Sequence, residues 1–269
     1  MQYASGKTKI ARQVSETILN RLGGEYEIFR WQNENCESNS ASNTHTHTHT
    51  HENSLTLVSL FCGGLSVETK LAPYFDRIIC NDKQEYLIEL YRSVQGGWKP
   101  PMELTEEQYK YIREHPQENK ALTAFAGFGC SFGGKWFGGY GRHGTKDKHA
   151  LERSMCEESR RALLRDINIL NNAEFTCLDY RDVPLPPQCI IYADPPYKGK
   201  MAAYGLHEEF DSGEFWQWCR DHSKDHMIFI SELEAPPDFA PIWERQVLRQ
   251  MANCNADNFK STEKLYIYV

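Results

Sequence analysis

A carboxylate, two prolines and a tyrosine stand in series after a short apolar run. Asp194, Pro195, Pro196 and Tyr197 follow directly on CIIYA, residues 189–193. In open α/β sheets ligands bind outside the carboxyl ends of the strands, so side chains placed there face the active crevice. A carboxylate and a prolyl carbonyl can accept hydrogen bonds from a planar amine, and a tyrosine ring can stack on a base. Asp and Pro also form ordinary turns, so these four residues need support from elsewhere in the chain.

That support comes from a glycine turn and a second acid. The apolar run LTLVSLF leads into Phe61, Cys62, Gly63 and Gly64. Glycines let the backbone approach a ligand closely, and we expect a helix that starts near Leu65 to direct its amide-rich end at a carboxylate. Asp82 lies 18 positions beyond Gly64, close to the roughly 20 at which a strand-end acid binds ribose hydroxyls. The set predicts a site for a nucleoside-containing ligand.

Short β-prone apolar runs predict the strands that position these residues. They are Leu55–Phe61, Arg77–Asn81, Phe175–Leu178, Cys189–Ala193, Met227–Ser231 and Leu265–Val269. Helical patterns cover Ser5–Leu22, Gln84–Val94, Leu151–Leu170 and Glu214–Lys224. Because strands alternate with helices, we expect an α/β fold with a largely parallel sheet covered on both faces.

Two stretches interrupt this alternation. Residues 96–170 contain helical segments and the glycine- and aromatic-rich passage Phe125–Arg142 without a convincing buried strand, which predicts a small inserted helical subdomain. The sheet domain then comprises residues 1–95 and 171–269. At about residues 30–54 a polar stretch carries alternating Thr and His from Thr44 to His51. Such histidines can bind divalent ions adventitiously, but the composition favours a low-complexity loop, and we expect no metal site.

The composition sets limits on partners and compartment. A net charge of -7 weighs against a nucleic-acid partner, yet between Gly133 and Arg165 eight basic residues face only four acidic ones. The nine cysteines are scattered and form no CxxC pair, so neither a disulfide framework nor a zinc site is expected. No run approaches the roughly 20 apolar residues that cross a bilayer. We therefore expect a soluble, intracellular protein, in the cytoplasm or nucleoid, or in the nucleus of a eukaryotic host, with no membrane partner.

In this order, the motifs resemble those of the D12 class of DNA adenine-N6 methyltransferases, the Dam-like group, and in particular its phage or mobile-element members. The family's N-terminal Gly-Lys motif is matched by Tyr3, Ser5, Gly6 and Lys7, and its FxGxG-type motif by Phe61 to Gly64. Its cofactor acids correspond to Asp82 and Asp179, and its catalytic motif to Asp194–Tyr197. The chain departs from the pattern at Leu65, which occupies the place of the second glycine, and in the insertion at about 30–54.

The resemblance implies a Rossmann-like sheet that binds S-adenosylmethionine and transfers its methyl group to N6 of adenine in double-stranded DNA after base flipping. It assigns catalysis to Asp194, Pro195, Pro196 and Tyr197. It assigns cofactor binding to Tyr3, Gly6, Lys7, Phe61, Cys62, Gly63, Gly64, Asp82, Asp179, Tyr180 and Asp194. Asp82 would bind the ribose, Asp179 the cofactor adenine, and Lys7 with the glycine turn the methionine end. The alternatives are a helix or turn cap for Asp179 and a solvated lysine for Lys7.

The resemblance also makes residues 96–170 the target-recognition subdomain. DNA contacts are predicted for Lys135, Trp136, Tyr140, Arg142 and Arg153, with basic side chains on phosphates and aromatic rings at the bases. A packed glycine-rich turn that buries these aromatics is the alternative. We expect a monomer or a weak dimer. Other readings of the whole chain are an RNA adenine methyltransferase, a protein-glutamine methyltransferase, which usually has Asn in place of Asp194, and a catalytically silent nucleic-acid-binding module.

Overall fold

The protein is an α/β fold built on one seven-stranded sheet. The computed structural model describes residues 7–23, 55–141, 155–196, 205, 209–249 and 259–269. The strands are β1 (Thr56–Ser59), β2 (Arg77–Asn81), β3 (Glu174–Thr176), β4 (Ile190–Ala193), β5 (Met227–Glu232), β6 (Phe239–Arg249) and β7 (Phe259–Tyr268). Their order is β3-β2-β1-β4-β5-β7-β6. The first five are parallel, and β7 runs antiparallel to both β5 and β6. The sequence prediction of a largely parallel, Rossmann-like sheet is confirmed.

Seven α-helices lie in the described part of the chain. They are α1 (residues 11–23), α2 (Glu68–Leu71), α3 (Glu85–Gln95), α4 (Glu106–Glu114), α5 (Lys120–Ala124), α6 (Met155–Ile169) and α7 (Ser212–His222). Side chains cap the N-termini of α3 and α4. The Gln84 side chain accepts a hydrogen bond from Tyr86 N, and Thr105 forms a capping box with Gln108. The predicted helices correspond to α1, α3, α6 and α7.

The alternation of side chains along the strands divides the core between the two faces of the sheet. Leu57 and Tyr192 pack on one face with α1, α3 and α6. Val58 and Ile191 point to the other face and pack with Phe215 and the rest of the buried side of α7. The sheet is therefore covered on both sides, as its apolar strands require.

The inserted segment shares this core. Between β2 and β3 the described residues form helices joined by turns and loops, with an isolated β-bridge between Ser131 and Tyr140. A π-helix over Phe125–Gly129 continues α5, and its buried rings Phe125 and Phe128 belong to the same hydrophobic cluster as α3. The helical character of the insert agrees with the sequence, whereas its separation from residues 1–95 and 171–269 as a distinct subdomain stays a prediction.

Three details differ from the sequence predictions. The strand β6 was not predicted, and Leu265–Val269 is only the end of the ten-residue β7. The helix expected near Leu65 begins instead at Glu68, because Leu65 adopts a left-handed conformation with φ of 59°. The insertion at about 30–54 lies outside the described residues. Within the described ranges, no helix has both the length and the apolarity to span a membrane.

Candidate active site

A cavity of about 750 Å³ opens at the carboxyl ends of β1, β2 and β4. β1 lies between β2 and β4, so the strand order reverses direction here, the position at which open α/β sheets bind ligands. Most predicted site residues that the structure describes line this cavity: Lys7, Phe61, Cys62, Gly63, Gly64, Asp82, Asp179, Tyr180, Asp194 and Pro196. Pro195 is buried and does not line it. Tyr3, Gly6 and Tyr197 lie outside the described residues.

The turn after β1 is tied to the end of β2. Cys62 N donates a hydrogen bond to Asn81 O at 2.8 Å, and Tyr91 donates its hydroxyl to the carbonyl of Gly63. Gly63 has a φ of 41° and Leu65 a φ of 59°. The loop thus closes with a leucine in the left-handed region that normally favours glycine. Leu65 is 1% exposed, so packing of its side chain compensates for that backbone conformation.

Asp82 holds this turn from the neighbouring strand. Its Oδ2 accepts a hydrogen bond from Gly63 N and its Oδ1 one from Gln84 N, both at 2.9 Å. Burial raises the pKa of Asp82, and these two backbone donors act in the opposite direction. The carboxylate is therefore a clamp within the cavity wall, with lone pairs still available for a ligand hydroxyl.

Asp179 lies in the segment that follows β3, and the structure gives it features of both predicted roles. It caps the 3₁₀ helix Tyr180–Asp182 by accepting a hydrogen bond from Arg181 N, and it also lines the cavity. The Arg181 guanidinium and the Lys83 ammonium bind its carboxylate at 2.7 and 3.1 Å. Hydrogen bonding to Arg181 is the main reason that the pKa of Asp179 falls well below its usual range. A ligand amine at this position would compete with two cations.

Asp194 is paired with Lys7. The Lys7 Nζ lies 3.2 Å from Asp194 Oδ1 and 2.7 Å from Glu263 Oε2. Lys7 is only 5% exposed, which excludes the solvated alternative. Burial alone would lower the pKa of Lys7, but the carboxylates of Asp194 and Glu263 outweigh it and raise that pKa. The lysine predicted for the methionine end of a cofactor is thus bound to the carboxylate predicted for catalysis.

Two further acids surround this pair, and sequence analysis did not identify them. Glu68 is buried, lines the cavity and accepts a hydrogen bond of 2.6 Å from the Ser59 hydroxyl. Burial raises the pKa of Glu68 to about 7, and it raises that of Glu232, at the end of β5, to about 7 as well. The negative charge of Asp194 contributes to both shifts. Near neutral pH each of the two acids is partly protonated.

Glu263 was also missed, although the sequence carries a signal for it. Along β7 it lies two residues before Leu265 and is 4% exposed. Because side chains alternate between the two faces of a strand, Glu263 lies on the same face as the buried Leu265. A charged side chain buried on that face needs a partner of opposite charge. The partner, Lys7, lies 256 residues away, so no local pattern identifies it.

The inserted segment closes one side of the cavity. Trp136 and Phe137 line it, and Trp136 packs against Tyr86 and Phe128 with ring centroids 5.2 and 4.8 Å apart. Of the residues predicted to contact DNA, Lys135 is exposed, Trp136 is half-buried, and Tyr140 donates its hydroxyl to Leu104 O. Arg142 and Arg153 lie outside the described residues. Both aromatic side chains of this set thus make packing contacts, as in the packed-turn alternative, and their contacts to DNA stay a prediction.

A comparison with known families agrees with this geometry. Residues 41–128 match the family model of the D12 class N6 adenine-specific DNA methyltransferase. The D12 class match includes β1, the glycine turn, Asp82 and helices α3 to α5, and it ends before β4 and Asp194. The resemblance derived from the motifs is therefore confirmed, with the match covering the glycine turn and Asp82, whereas Lys7, Asp179 and Asp194 lie outside the matched residues. Membership of a phage or mobile-element subgroup stays a prediction.

Proposed function

We propose that this protein is a DNA methyltransferase that transfers a methyl group from S-adenosylmethionine to N6 of adenine in double-stranded DNA. The observation that carries the proposal is the convergence of three strand ends on one cavity: the glycine turn after β1, Asp82 after β2 and Asp194 after β4. The D12 class match covers the first two of these and supports adenine methylation in DNA.

The cavity fits the cofactor in size and chemistry. A volume of about 750 Å³ falls within the range of about 300–1,000 Å³ for ligand pockets. Phe61 and Tyr180 offer aromatic walls, with ring centroids 5.6 Å apart, and the buried Tyr180 hydroxyl has no hydrogen-bond partner among the described residues. Asp82 would bind the ribose hydroxyls and Asp179 the adenine amine. When bound, S-adenosylmethionine supplies a methyl group activated by its sulfonium.

Asp194 orients the amine that is methylated. The N6 lone pair of adenine is delocalised into the ring, so the amine is a poor nucleophile until its hydrogens are held out of that plane. The Asp194 carboxylate and the Pro195 carbonyl would each accept a hydrogen bond from one of the two N6–H groups and so direct the lone pair into the cavity. Lys7 stabilises the negative charge of Asp194 from the protein side. Positioned acceptance of this kind contributes about 10²–10⁴ in rate.

The target base has to leave the duplex to reach this position, at a cost of roughly a few kcal/mol. Tyr197 would offset part of that cost by stacking on the extruded adenine, since base-aromatic stacking is worth about 1–3 kcal/mol. Trp136 and Phe137 present further aromatic surface at the cavity wall. We assign sequence recognition to the insert, residues 96–170. Within it, the exposed Lys135 together with Arg142 and Arg153 would contact the DNA backbone.

The test is transfer of tritiated methyl groups from S-adenosylmethionine to duplex DNA, followed by digestion to nucleosides. We expect label in N6-methyldeoxyadenosine and a loss of at least about 100-fold in Asp194→Asn. Asp238→Asn is the matched control, because Asp238 binds Arg220 and is not part of the cavity wall. Label in RNA or in protein glutamine would overturn the assignment of duplex DNA as the substrate. No transfer to any of these would favour the silent nucleic-acid-binding module.

A further inference from the structure

Lys7, Asp194 and Glu263 form a buried triad drawn from three distant parts of the chain. Lys7 precedes α1, Asp194 follows β4, and Glu263 lies within β7. The Lys7 and Glu263 side chains are each 5% exposed and that of Asp194 is 21% exposed. Lys7 and Asp194 line the cavity, whereas Glu263 does not. Glu263 binds Lys7, and Lys7 connects it to the cavity.

We propose that Glu263 is a positioning residue for methyl transfer, which holds the Lys7 ammonium against Asp194 Oδ1 and so fixes the orientation of the Asp194 carboxylate. This inference rests on the proposed function. A lysine side chain is a flexible four-carbon stem with a point charge at its end, so a single carboxylate partner does not fix it. The second carboxylate, at 2.7 Å, gives Nζ a defined place.

The strand that carries Glu263 is suited to this role. β7 is hydrogen-bonded on both sides: Glu263 is in register with Arg245 of β6, and Lys264 with Glu232 of β5. Asp194, by contrast, begins the segment after β4 and belongs to no strand or helix. The triad therefore connects a carboxylate in a connecting segment to the interior of the sheet. Sites supported from rigid elements hold catalytic geometry better than sites held by loops alone.

A structural ion pair without a positioning role makes a different prediction. Removing one partner of a buried pair leaves an uncompensated charge, which lowers stability and every activity together. A positioning role instead lowers kcat while cofactor binding is preserved, and it alters the pH dependence. The groups that face Lys7 are Asp194, Glu263 and Tyr192, with Glu232 also nearby. Removal of the negative charge at position 263 takes away one contribution that raises the pKa of Lys7, so the alkaline loss of activity should occur at lower pH.

The experiment compares wild type with Glu263→Gln, Lys7→Gln and the double variant, using tritiated methyl transfer to duplex DNA and calorimetric binding of S-adenosylmethionine. We expect Glu263→Gln to lower kcat about 10- to 100-fold, with cofactor Kd within about threefold of wild type and the alkaline limb at lower pH. In the Lys7→Gln background, the same change should alter kcat by less than about threefold, because Glu263 acts through Lys7. Glu174→Gln is the control, since Glu174 binds Arg77 on the exposed edge of the sheet.

The outcomes of this comparison either support or overturn the positioning role of Glu263. A kcat for Glu263→Gln within about threefold of wild type would overturn the positioning role. So would a variant in which kcat, cofactor affinity and thermal stability all fall together, with the same pH dependence as wild type. Full additivity in the double variant would show that Glu263 does not act through Lys7. If Glu263→Gln does not fold, Glu263→Asp replaces it, because it keeps the charge but withdraws the carboxylate from Lys7 Nζ. A kcat for Glu263→Asp within about threefold of wild type would overturn the positioning role. Absence of transfer by wild type would instead overturn the proposed function itself.

Discussion

The backbone amide of Gly63 donates a hydrogen bond of 2.9 Å to Oδ2 of Asp82, and this contact joins the turn after β1 to the end of β2. The other oxygen of Asp82 accepts from Gln84 N. One carboxylate thus fixes the backbone of two cavity walls at once. A residue proposed as a ligand for ribose is thus also a structural element of the site.

Asp82→Asn should therefore weaken both the turn and cofactor binding. The asparagine side chain has one acceptor oxygen, so its NH₂ group faces one of the two backbone N–H groups. That N–H is left without an acceptor, at a cost of about 1–3 kcal/mol. We expect a lower unfolding free energy by that amount and a Kd for S-adenosylmethionine raised at least about tenfold. Urea unfolding and titration calorimetry measure the two effects.

Asp76→Asn is the control for this change. Asp76 precedes β2, its Oδ2 accepts a hydrogen bond of 2.8 Å from Leu55 N, and it is not part of the cavity wall. It should keep cofactor affinity and most of its stability, because the carbonyl oxygen of asparagine can still accept this hydrogen bond. Equal Kd values for Asp82→Asn and Asp76→Asn would refute a direct role of Asp82 in binding.

Glu68 predicts a pH dependence of stability. Its pKa is raised from 4.5 to about 7 by burial, so between these values the folded state retains a proton that the unfolded chain has lost. Stability consequently falls as pH rises through this window, and Glu68→Gln should remove part of the fall. We expect the variant to gain on the order of 1–3 kcal/mol relative to wild type between about pH 5 and about pH 8 in urea unfolding.

The matched substitution for Glu68 is Glu89→Gln. Glu89 also accepts a hydrogen bond from a serine, Ser93, but it lies half-buried on α3 outside the cavity. Glu89→Gln makes the same change of side chain and charge outside the cavity, so its curve shows the effect of the substitution itself. A Glu68→Gln curve parallel to that of wild type across the window would contradict the assigned protonation. Glu232, whose pKa is also raised to about 7, should maintain a residual slope in the variant.

Sequence patterns were sufficient where the chain satisfies its requirements locally. β2 was predicted with its observed bounds, Arg77–Asn81, because a buried parallel strand appears as a continuous apolar run. β6 was missed: it is an edge strand, which begins Phe239-Ala240-Pro241, has an irregularity between Pro241 and Trp243 and shows no regular alternation of polar with apolar residues. The triad partner Glu263 was missed for another reason, since its pairing with Lys7 exists only once the two ends of the chain meet.

Leu65 is a departure from the family motif that the structure explains. Its φ of 59° costs a non-glycine residue roughly 1–2 kcal/mol, while its buried side chain contributes about 2–5 kcal/mol relative to alanine. Leu65→Ala should therefore be destabilised by about 2–5 kcal/mol, and Leu65→Gly should be more stable than Leu65→Ala by about 1 kcal/mol. Guanidinium unfolding of the two variants gives this order directly.

Leu71 provides the opposite expectation. It is equally buried but helical, at the end of α2 with a φ of -82°. There glycine should be less stable than alanine by about 1 kcal/mol. If alanine were also the more stable residue at position 65, the left-handed conformation assigned to the cofactor turn would be wrong.

The absence of a side chain at Gly127 leaves room for the Trp136 ring. A Cβ at Gly127 would lie 2.8 Å from two carbons of the Trp136 ring and 3.0 Å from Phe137, and both rings line the cavity. Gly127→Ala should therefore displace the cavity wall, with a loss of about 1–3 kcal/mol in unfolding free energy and a higher KM for DNA. Gly23→Ala, in α1 with no atom within 4 Å of the added carbon, should be neutral or stabilising by up to about 1 kcal/mol. An unchanged KM for Gly127→Ala despite its lower stability would separate Trp136 from substrate binding and leave it a packing role only.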